Sequence, residues 1–411
     1  MKSFINFFGI ITLNLVSAHI EDISGVKWPT LSGKPTELFS HRGVKPHLPQ
    51  HTIGGYWNAV MDGMDYLEPD LVLTKDGVPV CYHDLHIEEG TNVKELPEFD
   101  HLKRNFTGVI DNTAVTLKDV YFISDFTFKE LSKVRVKQAV VGTRPQFYNQ
   151  IFKIPSFQQF IDNAHHLSYL FKKPIKIVPE IKHAALHSSL RPENPRYFED
   201  KVLEILRKNG YPLKEGDVEN CQAKISKDIQ DKCSPKKEVK VPCGKVVLQN
   251  FDFESLKYLT KFTHPSKVEH VALVDKYAWF YTPKGLDIVA RYATWFSTRK
   301  DFHLNEIADE FQARNVTYDP KEVESLGGFI KAKDLIKECH QRNLKVVPYT
   351  FYDSREPANF GCKSTCFKGD TRDEFYYFFK MGADGMFVEN LAEAVQLRTE
   401  FNTMLRFNPI V

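Results

Sequence analysis

The stretch Ser40–Asp84 decides the fold. It opens SHRG (Ser40–Gly43), passes through LPQHT (Leu48–Thr52) and runs on as YLEPDLVLTKDGVPVCYHD (Tyr66–Asp84). Its periods and turn residues give strand, loop, helix, strand, tight turn and strand. Side chains alternate along a strand, so Tyr66, Glu68, Asp70 and Val72 share one face while Leu67, Leu71 and Leu73 share the other. Two carboxylates two residues apart on one strand face can grip a hard divalent cation through oxygen. Lys75-Asp76-Gly77 turns the chain, and Val78–Tyr82 returns it to set His83-Asp84 at a strand end. His41-Arg42 also falls at a strand end, where Gly43 permits a sharp exit. Two histidines flanking an acidic grip, with an arginine beside them, are a layout for acid–base chemistry on a phosphate.

Downstream, strand candidates lie at Ile175–Ile181, Lys245–Asn250, His270–Val274, Lys345–Tyr349 and Gly385–Val388, with a weaker one at Asn315–Tyr318. Amphipathic helices fall between them. Ser156–Leu170 carries Phe157, Phe160, Ile161, Ala164 and Leu167 at helical spacing, with Ser156 and Gln159 in a capping-box arrangement. Arg196–Lys208 puts Phe198, Val202, Ile205 and Leu206 on one face and stops at Asn209-Gly210; Thr371–Met381 stops at Gly382. This alternation implies a parallel sheet. About eight strands, with charged groups at several of their C-terminal ends, predict an α/β chain closed as a (β/α)8 TIM barrel rather than an open sheet. The span 84–174 is far longer than a barrel connection and carries its own aromatic residues, so it reads as an insertion; the polar Gly216–Val241 reads as a surface excursion.

The 411 residues are 42% hydrophobic and 26% charged, which suits a globular protein with a sizeable core. A formal net charge of +2 with no basic stripe argues against a nucleic-acid binder. Met1–Ala18 has one lysine, an apolar centre and Val16-Ser17-Ala18, the layout of a cleaved secretory signal; residues 19–411 would then form the mature barrel. No later segment is long and apolar enough to span a bilayer. These features predict a secreted or secretory-lumen protein, in which Asn105 and Asn315, each opening an N-x-T sequon, are glycosylation candidates. Seven cysteines suit an oxidising compartment. Cys81 reads as a small buried residue and Cys339 as core or bridge. Cys221, Cys233 and Cys243 fall in one polar loop, Cys362 and Cys366 in another, where disulfides would staple long loops. No histidine–cysteine spacing suggests zinc.

The ordered series HRG (His41–Gly43), P-x-x-T (Pro49–Thr52), E-x-D (Glu68–Asp70), T-x-D-G (Thr74–Gly77) and HD (His83-Asp84) resembles the glycerophosphodiester phosphodiesterase family, in wording its secreted or periplasmic branch. The resemblance continues through VPEIK (Val178–Lys182), LQNFD (Leu248–Asp252), VPYT (Val347–Thr350) and GMFVE (Gly385–Glu389), and so covers nearly the whole mature chain. It implies the same barrel, with a capping segment inserted after the third strand over the mouth of the site. It implies hydrolysis of a small-molecule glycerophosphodiester to glycerol 3-phosphate and an alcohol. His41 would be the base and His83 the acid, an order that the residues alone do not fix.

Val178, Glu180 and Lys182 share a strand face, which a plain ion pair would explain. Beside Glu68 and Asp70, Glu180 reads instead as a third ligand for a divalent cation, Ca²⁺ or Mg²⁺, and Lys182 joins Arg42 as a phosphate contact. Tyr349 and Phe351, at a late strand end, either line the alcohol or glycerol pocket or pack the barrel. Three positions depart from the family pattern: Gln50 replaces a usual glutamate, Pro69 interrupts a strand, and Glu389 stands where aspartate is common. If the missing glutamate only orients the loop, activity survives Gln50; if it binds metal or tunes a histidine, activity falls. Two other readings stand beside hydrolysis. One is a catalytically silent extracellular binding protein on this barrel, supported by Gln50. The other is a phospholipase D-like lyase acting on sphingomyelin or lysolipids, which needs an apolar groove.

Overall fold

The computed structural model describes residues 26–111, 113–225, 237–352 and 371–407. Met1–Ala18, Cys233, Cys362 and Cys366 therefore lie outside the described residues. In chain order the strands are β1 (Glu37–Ser40), β2 (Tyr66–Leu67), β3 (Asp70–Leu73), β4 (Pro79–Cys81), β5 (Arg104–Ile110), β6 (Thr113–Val120), β7 (Lys176–Ile177), β8 (Glu180–Ile181), β9 (Gln222–Ile225), β10 (Lys237–Lys240), β11 (Val246–Asn250), β12 (Val268–Val274), β13 (Trp295–Thr298), β14 (Lys345–Val346) and β15 (Gly385–Val388).

One parallel path runs β14-β13-β12-β11-β7-β2-β1-β15. Backbone bonds close it on itself: Asp384 N–H donates to Val346 O at 2.9 Å, Phe387 N–H to Pro348 O at 3.1 Å and Phe351 N–H to Phe387 O at 2.8 Å. The predicted barrel is therefore closed. Pro69 and Pro179 split the second and third staves into β2–β3 and β7–β8, because proline donates nothing to the ladder. The two staves stay joined through Val178 N–H to Leu67 O (2.8 Å), Glu180 N–H to Pro69 O (3.0 Å) and Lys182 N–H to Leu71 O (3.0 Å).

Strand parity separates two cores. Phe39, Tyr66, Val178, Val247, Val271, Trp295, Val347 and Phe387 fill the bore, and Phe39 stacks on Tyr66 at 4.4 Å. Their neighbours Leu38, Leu67, Ile177, Leu248, Phe296, Val346 and Met386 belong to the layer packed against the helices. That layer takes in helix Phe157–Phe171, which starts at the predicted Ser156/Gln159 capping box, and helices Tyr197–Lys208 and Thr371–Met381.

Two strand assignments change. Asn315–Tyr318 is coil beyond helix Ile307–Ala313, from which Val316 and Tyr318 reach the core as loop residues. The stave between β12 and β14 is β13, a four-residue run whose Trp295 and Phe296 face opposite cores. With β2–β3 counted as one stave, β4 is the third strand in chain order, but it lies antiparallel to β3 and is not a stave. The insertion follows it and has its own core, built on Val80, Tyr82, Ile87, Phe99, Tyr121 and Phe126. A hairpin of β5 and β6 stands off this core. β9 and β10 form a separate ribbon near the Cys221–Cys243 disulfide. Cys81 and Cys339 are free and buried, so Cys339 belongs to the core. Asn105 on β5 and Asn315 after its helix are both exposed.

Candidate active site

The staves bring Glu68, Asp70 and Glu180 together with His41, Arg42 and Lys182, and the end of antiparallel β4 adds His83. Glu68 sits between β2 and β3, Asp70 opens β3 and Glu180 opens β8, opposite Asp70 in register. One carboxylate oxygen from each lies within 4.8 Å of the others, and all three residues are buried. Glu68 is anchored at both oxygens: Oε2 accepts the Arg42 backbone N–H at 2.9 Å and Oε1 accepts Gln249 Nε2 at 2.9 Å. Asp70 Oδ2 faces Arg42 Nε at 3.2 Å and His51 Nε2 at 3.0 Å, while its buried Oδ1 has no hydrogen-bond partner among the described residues.

Three buried carboxylates cannot all stay charged side by side without a cation. Burial, with Asp70 beside it, pushes Glu68 up to about 8. Burial also pushes Glu180 well up, outweighing Lys182. Asp70 is held well below the usual carboxylate range despite its burial, by His51, Arg42 and Lys182. An all-oxygen set with an unsatisfied buried oxygen fits a hard divalent cation.

Arg42 sits at φ 60°, just past β1, and its Nη1 donates to Gln50 Oε1 at 3.1 Å. The loop that carries Gln50 is fixed by Thr52, whose hydroxyl donates to Pro49 O and caps helix Ile53–Met61 by accepting Gly55 N–H. His41 follows β1, with its backbone N–H on Val388 O and Nδ1 3.4 Å from Glu389 Oε1. Burial and the Arg42 charge push His41 down to about 3, so the imidazole is neutral. His83 Nδ1 lies 2.7 Å from Asp84 Oδ1, and its Nε2 lies 3.0 Å from the Lys182 ammonium. Burial, Arg42 and Lys182 hold His83 well below its usual value. Lys182 also faces Glu180 at 3.1 Å; Glu180 and Asp70 hold its ammonium above the ordinary value although burial opposes this.

A cavity of about 510 Å³ opens from Glu180 and Lys182 toward Phe253, Trp279 and Phe280. The hairpin tip borders it: Asp111 pairs with His183 at 2.5 Å, and Thr113 accepts Lys276 Nζ at 2.6 Å. The insertion thus lies at the mouth as well as having its own core. Tyr349 sits at the end of the bore, with its hydroxyl on Val274 O at 3.0 Å, as barrel packing. Phe351 does not line this cavity. Its wholly buried ring packs against Phe375 and Phe378 on the helix side.

Sequence reasoning missed four contributors. His51, which showed no matched partner in the sequence, is buried between Asp70 and the Tyr56 hydroxyl. Gln249, Glu389 and Arg144 complete the surroundings of Glu68 and His41. Gln249 carried a signal as an inward position in the LQN run of β11, and Glu389 as the end of the GMFVE motif.

The glycerophosphoryl diester phosphodiesterase family model matches residues 41–200 and 193–393. The chain is similar to glycerophosphodiester phosphodiesterase GDPD6 of Arabidopsis thaliana, 28% identical over 373 residues, 88% of this chain and 86% of the relative. It is also similar to the glycerophosphodiester phosphodiesterase of Haemophilus influenzae, 25% identical, covering 79% of this chain and 80% of that one. Among solved structures, a Silicibacter pomeroyi protein assigned as a glycerophosphoryl diester phosphodiesterase shares the fold with a TM-score of 0.52 at 14% identity, covering 91% of this chain and 98% of that one. With both halves of its barrel matched by the family model, this chain belongs to the glycerophosphoryl diester phosphodiesterase family.

Proposed function

We propose that this protein is a divalent-metal-dependent glycerophosphodiester phosphodiesterase, releasing glycerol 3-phosphate and an alcohol. The observation that carries the reading is the convergence of two neutral imidazoles, an arginine, a lysine and three carboxylates at one barrel mouth. Glu68, Asp70 and Glu180 would hold the cation, Ca²⁺ or Mg²⁺, which when bound supplies Lewis-acid polarisation of a phosphate oxygen. Arg42 and Lys182 neutralise charge on the phosphoryl oxygens. His41 takes the proton from the attacking hydroxyl, and His83, once it has taken up a proton at Nε2 from Lys182 or solvent, gives that proton to the departing alcohol. In this structure His83 Nε2 faces the Lys182 ammonium; an anionic phosphate draws that ammonium off and raises the proton affinity of His83, which suits it to the acid role.

The test is release of glycerol 3-phosphate from glycerophosphocholine by the purified chain with Ca²⁺, Mg²⁺ or chelator, beside His41→Ala. Metal-dependent release that is lost in His41→Ala supports the reading. A folded protein inactive with either ion overturns it for this substrate. The cavity with its aromatic wall favours one second reading, cleavage of lysolipids or sphingomyelin. Activity on those lipids without activity on the deacylated diester would select it. For location we propose the secretory pathway, supported by Met1–Ala18 and by the Cys221–Cys243 disulfide; an intact Met1–Ala18 on the cytosolic protein would contradict it.

A further inference from the structure

We propose that Arg144, carried by the insertion, is a positioning residue that acts through Glu389 on His41. The proposal rests on His41 taking part in the reaction. Glu389 lies one residue past β15 and has no exposed surface. Its Oε2 accepts Arg144 Nη2 at 2.7 Å, across 245 residues of sequence. Its Oε1 accepts Lys45 Nζ at 2.8 Å and stands 3.4 Å from His41 Nδ1. The Arg144 side chain is itself buried, 3% exposed.

A carboxylate sealed from water keeps its charge and orientation only while each oxygen has a donor. Lys45 engages Oε1 of Glu389 and Arg144 engages Oε2, which holds Oε1 3.4 Å from His41 Nδ1. Arg144 also reaches Lys45 O from Nη1 at 3.5 Å, and Gln138 Nε2 donates to the same carbonyl at 2.9 Å. The insertion thereby ties the loop after Gly43 to the end of β15, with His41 between them. For His41 the consequence is tautomeric. An acidic oxygen at Nδ1 favours the proton there and leaves Nε2 as the basic nitrogen, the form a general base needs. The insertion therefore takes part in arranging the base as well as bordering the mouth.

The experiment is steady-state kinetics on glycerophosphocholine with the full chain and saturating metal, for Arg144→Met, Arg144→Lys, Glu389→Gln and the Arg144→Met/Glu389→Gln double variant, each with a melting curve. The expected result is a kcat about 10- to 100-fold lower for Arg144→Met at little-changed KM, with partial recovery in Arg144→Lys. The double variant should be no slower than the slower single, because the two residues act as a unit. Arg144→Met at parental kcat, a loss confined to KM, or multiplying losses in the double variant would overturn the proposal. Should Arg144→Met not fold, Arg144→Gln replaces it: a kcat order of Arg, Lys, Gln at constant KM supports the role, and equal values overturn it. Retained activity in His41→Ala would instead defeat the underlying reaction scheme, whatever Arg144 does.

Discussion

The Lys182 ammonium stands 3.0 Å from His83 Nε2, while Asp84 holds the opposite ring nitrogen at 2.7 Å. An ammonium has only protons to offer, so Nε2 is the accepting nitrogen and Nδ1 carries the hydrogen. One lysine therefore links a carboxylate of the acidic trio to an imidazole, through Glu180 at 3.1 Å. Lys182→Met should lower kcat/KM by about 100- to 1000-fold, as loss of a transition-state charge partner does. It should also raise the pH at which His83 titrates, because the ammonium adds to burial and Arg42 in depressing it. NMR titration of labelled histidine reads the second effect. An unchanged His83 would show that Lys182 does not control it.

Gln50 sits where the family usually has glutamate, and its carbonyl oxygen accepts Arg42 Nη1 at 3.1 Å. The glutamine keeps the acceptor and the shape while shedding the charge. Arg42 already has a carboxylate partner, since its Nε faces Asp70 at 3.2 Å. Gln50→Glu is expected to change kcat/KM by no more than a few-fold. Gln50→Leu, which leaves a charged group one acceptor short, should cost about 10-fold or more. Equal kinetics for parent and Gln50→Leu would mean that the loop needs no acceptor there.

Glu68, Asp70, Glu180 and Lys182 were legible because strand parity is a local rule, and it held across both proline interruptions. His41 and His83 were legible as strand-end residues. Long-range partners were not: Gln249 meets Glu68 across 181 residues and Arg144 meets Glu389 across 245, distances at which no periodic pattern in sequence operates. β13 escaped because both faces of its four residues are buried, so it shows no alternation of polar and apolar side chains. For Phe351 the sequence left pocket lining and barrel packing open, and its ring contacts with Phe375 and Phe378 favour packing.

A cation held by the acidic trio would make metal binding a stability term. Burial raises Glu68 and Glu180, and a cation would restore their charged forms. A cation at about 100 times its dissociation constant should add about 2.7 kcal/mol of stability. Calorimetric melting of chelated protein, titrated with Ca²⁺ or Mg²⁺, is expected to show a rise in Tm that Asp70→Asn removes. A rise of the same size in Asp70→Asn would place the ion elsewhere.

Three histidines away from the acidic trio set a pH dependence of their own. Burial pushes His187 and His303 down to about 3 and His270 to about 4. In the unfolded chain each binds a proton near pH 6.5. Between that value and about pH 4 the unfolded state holds more protons than the folded one. Their neutral burial is therefore without penalty above pH 6.5, and stability falls as pH drops below it, by about 1.4 kcal/mol per pH unit for each histidine. His303 is the one to test, because neither ring nitrogen has a hydrogen-bond partner among the described residues and the ring sits edge-on to Phe378 at 5.8 Å. Replacing it by phenylalanine removes two unsatisfied polar atoms and one titrating group. His303→Phe should gain about 1–3 kcal/mol in urea unfolding at pH 7. The gain should be larger at pH 5, since the parent alone then carries the His303 protonation penalty. A gain equal at both pH values would show that His303 takes up its proton in the folded state as readily as in the unfolded one.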